Sequence, residues 1–316
     1  MLWESINMKK LKRLLLVTLV LVVLSSGYTA TSAKAALNTL STVMYEGQDY
    51  NYNFLGMGKI EKVTYSNKKA ASTVKIEDTT LYFKADKAGS TTITVKGKAY
   101  TYTIKLTVKK TDIKASFVKK LQDGTYLVKI TNKTKDGYVE YVSFATVLRS
   151  SDGGFLKFDD VTAAALNPGA TVYETYEPDE EYDVDLSKST LELDEFEIDT
   201  GLGIKFTDCT KKMIVTDAKG GKLVSGETNF TFSIKNNNAK VAANTYYMIA
   251  WYDANGNTVK VENFNPGYIN PKEESKITAY VPDQEYGVVS YKITVRAYSK
   301  VYPPKKPVEI DIPHIK

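Results

Sequence analysis

The chain has one cysteine, Cys209, and one histidine, His314. A lone cysteine cannot close an intramolecular disulfide, so no disulfide framework holds this fold. The same counts exclude zinc sites of the His-x-x-His or Cys-x-x-Cys kind. Ser–His and Cys–His nucleophilic pairs would both have to draw on His314, in a tail that also carries Pro303, Pro304, Pro307 and Pro313. Cys209 is followed by Thr210-Lys211-Lys212 but has no base or resolving thiol nearby in sequence, so it reads as a small apolar core group. Long amphipathic helical periodicity is also scarce.

What is present at the N-terminus changes the charge reading. Lys9, Lys10, Lys12 and Arg13 precede the apolar run Leu14–Leu24, and Ala33-Lys34-Ala35 follows. A basic segment, a short apolar segment and a small-x-small site form a secretory signal peptide. The run is shorter than the ~20 residues of a membrane-spanning helix. The expectation is export, with Met8 as the start, cleavage after Ala35 and no membrane span in the mature chain. Residues 1–35 hold five of the 42 basic residues and one of the 37 acidic ones, which leaves 37 against 36. Nucleic acid and anionic membranes need a concentrated positive field, and none survives cleavage. Export without disulfides suits a Gram-positive bacterial surface.

The mature sequence reads as β throughout. Thr91–Val95, Tyr100–Val108 and Thr125–Ile130 alternate β-branched or aromatic residues with polar ones. Asp123-Gly124, Asp152-Gly153-Gly154 and Asn255-Gly256 punctuate the runs, and Asn-Gly is the favoured type I′ hairpin pair. Strands without alternating helices predict an all-β protein of tandem immunoglobulin-like β-sandwich modules. Polar breaks at Lys109-Lys110-Thr111-Asp112 and at Asp199–Gly203 divide the mature chain into 36–110, 111–200 and 201–299, before a Pro-rich extended tail over 300–316.

The first module resembles the bacterial immunoglobulin-like domain, group 2, over about residues 37–109. Leu40–Gly47 matches the opening strand and its Gly turn, Val63-Thr64-Tyr65-Ser66-Asn67 the Trp-Ser-Ser-Asn-like stretch with Tyr65 in the Trp slot, and Lys87–Val95 the Ala-Gly-x-x-x-Ile-x-Val strand. The resemblance implies a seven-stranded sandwich used as a spacer or adhesive module.

The remainder looks duplicated. Tyr126–Lys133 matches Phe230–Asn237, Pro178–Tyr182 matches Pro282–Tyr286 at the same offset, and Leu166-Asn167-Pro168-Gly169 pairs with Ile269-Asn270-Pro271-Lys272 to within one residue. Ile249-Ala250-Trp251-Tyr252-Asp253 followed by Asn255-Gly256 resembles the FxLYD family of bacterial extracellular β-sandwiches; Thr146–Ser150 of the second module keeps only the Leu of that signature. Neither resemblance brings a catalytic site.

Acids crowd residues 174–199. Glycosidase-type chemistry needs two carboxyls held across a cleft, whereas Glu192, Asp194 and Glu197 alternate along a strand as a solvated face does. Asp179, Glu180, Glu181, Asp183 and Asp185 could supply some of the roughly six to eight oxygens of a calcium site. No EF-hand pattern exists, and Asp253-x-Asn255-Gly256-Asn257 is explained by a hairpin. No other cofactor is implied.

Aromatics carry the functional expectation. There are 23 tyrosines, and residues 246–298 hold a dense share. Alternation puts Tyr247, Ile249 and Trp251 on one face and Tyr246, Met248, Ala250 and Tyr252 on the other. Trp251 is expected in the core. Tyr252 and Tyr268 are expected to be exposed near one end of the third module, where they would touch a ligand. The leading expectation is a secreted or surface-associated, non-enzymatic binding or spacer protein with a cell-wall, glycan or protein ligand. The alternatives are a carboxylate-dependent hydrolase with a cleft between the second and third modules, and a structural assembly subunit.

Overall fold

The computed structural model describes residues 39–54, 56–178, 183–198, 205–282 and 286–301. The signal peptide, its cleavage site, His314 and the Asp179–Tyr182 segment lie outside the described residues. Among the described residues there is no α-helix, and no helix is long and apolar enough to cross a membrane. The chain is all-β, built as tandem immunoglobulin-like β-sandwich modules.

The first module has β1 (Thr39–Tyr45), β2 (Asp49–Asn53), β3 (Ile60–Tyr65), β4 (Ala71–Glu77), β5 (Thr80–Ala85), β6 (Gly89–Gly97) and β7 (Thr101–Lys109). They form sheets β1-β7-β6-β3 and β2-β5-β4. Period-two alternation sends Leu81, Phe83, Ile93, Val95, Ile104 and Leu106 between the sheets, where all are buried. Its lower end is fastened to the next module. The Tyr45 ring joins the second module's core, Gln48 Nε2 donates to Ile198 O at 2.9 Å, and Thr111 Oγ1 donates to Glu46 O at 2.7 Å. Gly47 turns this corner at φ +93°, and a Cβ there would sit 3.2 Å from Phe196. The positive φ favours glycine, and any side chain there would also have to displace the Phe196 ring slightly.

The second module comprises β8 (Ile113–Lys120), β9 (Tyr126–Asn132), β10 (Val139–Arg149), β11 (Phe155–Leu166), β12 (Thr171–Tyr176) and β13 (Thr190–Ile198), as sheets β11-β10-β13 and β12-β9-β8. The third comprises β14 (Lys205–Asp208), β15 (Met213–Thr216), β16 (Asn229–Asn236), β17 (Ala243–Asp253), β18 (Thr258–Ile269), β19 (Glu274–Tyr280) and β20 (Val288–Val301), as sheets β14-β20-β17-β18 and β15-β16-β19. Reading β15 for β8 and so on through β20 for β13, the strand orders coincide, and β14 is an added edge strand. β20 runs to Val301, so Lys300 belongs to a strand rather than to the tail expected from 300 onward.

The duplicated anchors share one device. Asn132 ends β9 fully buried; its Nδ2 donates to Gly137 O at 2.8 Å and Leu166 O at 3.0 Å, and its Oδ1 accepts from Thr134 N at 3.0 Å. Asn236 ends β16 fully buried; its Nδ2 donates to Val241 O at 2.9 Å and Ile269 O at 2.8 Å, and its Oδ1 accepts from Asn238 N at 3.0 Å. The backbone is repeated too, since Gly169 N and Lys272 N each donate 2.8 Å bonds to the carbonyl of their asparagine. Each side chain thus ties the turn that follows its strand to the corner of the opposite sheet. Asn132→Ala or Asn236→Ala leaves two buried carbonyls and one amide unpaired, and each should cost on the order of 2–4 kcal/mol of stability in denaturant unfolding.

Candidate functional site: a cleft between the second and third modules

Trp251 lies in the third module's core at 0 % exposure, between Phe230 and Tyr291, and its Nε1 donates to Glu262 Oε2 at 2.8 Å. Leu148 occupies the same place in β10, also at 0 %, and the register agrees, with Leu148 opposite Lys157 and Trp251 opposite Lys260. Trp251→Ala should cost about 3–5 kcal/mol, as large-to-small core changes do, and a drop in melting temperature reads it out.

The opposite face of β17 is not open to solvent. Met248, Ala250 and Tyr252, with Val261 of β18, pack against Leu121, Leu127 and Tyr173 of the second module. Tyr252 is therefore half-buried in a contact between modules, which corrects the expectation that it is exposed. The alternation itself holds; what it cannot show is that a neighbouring sheet covers the outer face. Tyr268 is exposed, at 61 %. It sits within β18 opposite Asn244, not in a ladder-free loop, because β18 is an edge strand where Pro266 removes no needed donor. Tyr252 pairs near the far end of β17, opposite Thr258. Eight residues of strand separate the two places, about 26 Å, so Tyr252 and Tyr268 do not form one site.

Further ties cross the same contact. Asn263 Nδ2 donates to Tyr173 O at 2.9 Å, and Lys300 pairs with Glu140 at 2.6 Å. Tyr138 of the second module stacks on Phe206 at 4.2 Å and meets Tyr298 at 4.6 Å. Arg296 Nη2 reaches Glu174 Oε1 at 3.4 Å, while its guanidinium lies 5.3 Å from the centre of the Tyr246 ring. Arg296 Nη1 is buried with no hydrogen-bond partner among the described residues.

Between the packed faces the two modules leave a cleft of about 840 Å³, within the range of ~300–1,000 Å³ usual for small-ligand sites. One wall carries Lys119, Thr171 and Tyr173 from the second module, and the other Tyr252, Asn263, Lys292, Thr294 and Arg296 from the third. Asp208 is the one carboxylate residue lining it among the described residues. Glu174 stands behind Arg296, on the face of β12 that also carries Val172 and Tyr176 of the second module's core.

The sequence reading did not find Arg296, Glu174, Lys292 or Lys119. One signal was available. Apart from Arg13, the chain's arginines are Arg149 and Arg296, against a background of lysine. A guanidinium is favoured over an ammonium where a cation must be buried and paired.

Asp185 Oδ1 accepts from Ser187 N at 2.9 Å and Ser187 Oγ at 2.6 Å, and these bonds hold its carboxyl below the usual range. Asp179, Glu180 and Glu181 lie outside the described residues. Among the described residues no group of three or more His, Cys, Asp or Glu gathers as a metal site. Asp253 likewise directs its carboxylate to its own hairpin, accepting from Asn255 N, Asn257 N and Asn257 Nδ2, and takes one further bond from Gln122 Nε2 of the second module at 3.3 Å. Cys209 is buried beside Ala243 and Ala297, and burial pushes its thiol pKa up.

Burial raises the Glu174 carboxyl from 4.5 to about 7, against the opposing pull of Arg296, whose own pKa burial lowers. A carboxyl raised in the folded state binds more protons there than in the unfolded chain. Its contribution is therefore present at low pH and is lost as pH rises from about 4.5 to about 7. From about pH 5 to about pH 8, the stability of Glu174→Gln relative to the unmodified protein should shift by about 1–3 kcal/mol in favour of the variant. A difference constant across that window, in denaturant titrations, would refute the assignment.

No family model and no curated protein matches the chain. Among solved structures, it is similar to the I9–I11 tandem of titin at 10% identity and a TM-score of 0.20, covering 82% of this chain and 94% of that one. It is similar to the C-terminal globular domain of an oligosaccharyltransferase from Pyrococcus abyssi at 9% identity and a TM-score of 0.17, covering 74% and 51%. A tandem of CBM22 domains from Paenibacillus barcinonensis Xyn10C aligns at 12% identity and a TM-score of 0.12, covering 82% and 92%. At these scores no whole-chain arrangement is shared, and the fold assignment rests on the strand pairing described above.

Proposed function

We propose that this chain is an exported, non-enzymatic binding protein of a bacterial surface or wall, in which the second and third modules together hold a glycan ligand and the first acts as a spacer. The first module stands as a group 2 bacterial immunoglobulin-like domain, and the other two as FxLYD-like sandwiches. The observation that carries the reading is the cleft of about 840 Å³, with side-chain amides, hydroxyls and tyrosines on facing walls. Such groups are what a polyhydroxylated ligand needs, ring faces for stacking and short polar side chains for hydrogen bonds. The tie of Tyr45, Gln48 and Thr111 between the first two modules suits a spacer that holds the cleft away from its attachment point.

A hydrolase of the two-carboxylate type needs its acids facing each other across the cleft. Asp208 lines it, while Glu174 is spent on Arg296 and turned toward the second module's core. That arrangement supports binding without turnover.

The test is a glycan array and a peptidoglycan pull-down with residues 36–316. Thr294→Trp, which fills the cleft from an exposed position on β20, should abolish capture without lowering the melting temperature, and Tyr268→Ala should leave capture unchanged. Capture that survives Thr294→Trp, or oligosaccharides shortened on incubation with the protein, would overturn the reading.

A further inference from the structure

Resting on that reading, we infer that the cleft selects saccharides that carry carboxylate groups, and oligomers over single sugar acids. Its lining is unevenly charged, with Lys119, Lys292 and Arg296 against Asp208. The mature chain as a whole is nearly neutral, so this local excess is not a consequence of overall basicity. Lys119 and Lys292 have no ion-pair partner among the described residues, and Lys292 is exposed. Arg296 is compensated through Nη2 to Glu174 and by the Tyr246 ring, while its buried Nη1 has no hydrogen-bond partner among the described residues. The wall therefore projects a positive field into a partly enclosed space, where attraction to an anion is stronger than at an open surface.

The placement of the cations sets the length of the ligand. Lys292 and Arg296 share the outward face of β20 four residues apart, about 13 Å, and Lys119 faces them from β8 of the other module. One carboxylate cannot satisfy groups so far apart, whereas a chain with an acid on successive units can. Between the cations lie Thr294, Asn263 and Thr171, with Tyr173 and Tyr252 beside them, which suits the hydroxyls and ring faces of sugars. An acidic peptide is the poorer fit. Peptides dock by adding a strand to a sheet edge or by laying a helix in an apolar groove, whereas Lys292 and Arg296 stand on the face of β20, an interior strand of its sheet, among polar side chains.

The experiment is calorimetric titration of residues 36–316 with an oligogalacturonate, its fully methyl-esterified form and an oligoglutamate of similar length. The acid form should bind roughly tenfold or more tightly than the ester and should weaken as salt is raised. Lys292→Glu should lose roughly tenfold in affinity and Lys292→Gln less, both with unchanged melting temperature. Equal binding of acid and ester would overturn the charge selection while leaving the glycan reading intact. Equal binding of oligoglutamate would overturn the saccharide class, and unchanged affinity in Lys292→Glu would remove the site from this cleft. Failure of the oligogalacturonate, with glycan or peptidoglycan capture retained, refutes this inference alone; loss of every capture refutes the function itself.

Discussion

The contact of the third module's four-stranded sheet with the β12-β9-β8 sheet of the second governs the site. Ala250 and Val261 meet Leu121 and Leu127 there, removing from water apolar residues that a free sandwich would expose. Without that contact β17 would present Met248, Ala250 and Tyr252 as an open apolar stripe. With it the sheets meet, and the cleft left between them is lined on the third module's side by Lys292, Thr294 and Arg296. Burial of the Arg296–Glu174 pair follows from the same contact. The desolvation of both groups, opposed by their mutual attraction, makes this joint sensitive to proton concentration.

The second and third modules each close through an asparagine, Asn132 at the end of β9 and Asn236 at the end of β16. Asn132 and Asn236 offer two donors and an acceptor at the point where the chain leaves one sheet for the other. The repeats have diverged around that fixed point. Where the second module has Leu148 the third has Trp251, whose indole N–H donates to Glu262, and where it has Gly169 the third has Lys272, which shares a left-handed φ, here +68°, and places its ammonium on Asn237. The third module also has β14, and with it Phe206, which stacks on Tyr138 and thickens the joint.

The sequence by itself determined what alternation and local turn chemistry encode. Period-two patterning fixed the all-β class and put Trp251 inside and Tyr252 outside its own sandwich, because a strand's side chains must point to opposite faces whatever the strand packs against. The spacing of Asn132 and Asn236 with their Asn-Pro corners marked the duplication, because the same bonds need the same offsets. Tertiary structure alone decided what covers an outward face. Tyr252 became half-buried and Tyr268 stayed exposed, though both are tyrosines on outer positions, because contact between modules depends on two surfaces far apart in sequence. Arg296 and Glu174 lie 122 residues apart, and no local signal links them. Their pairing exists because one module's face closes over the other's edge.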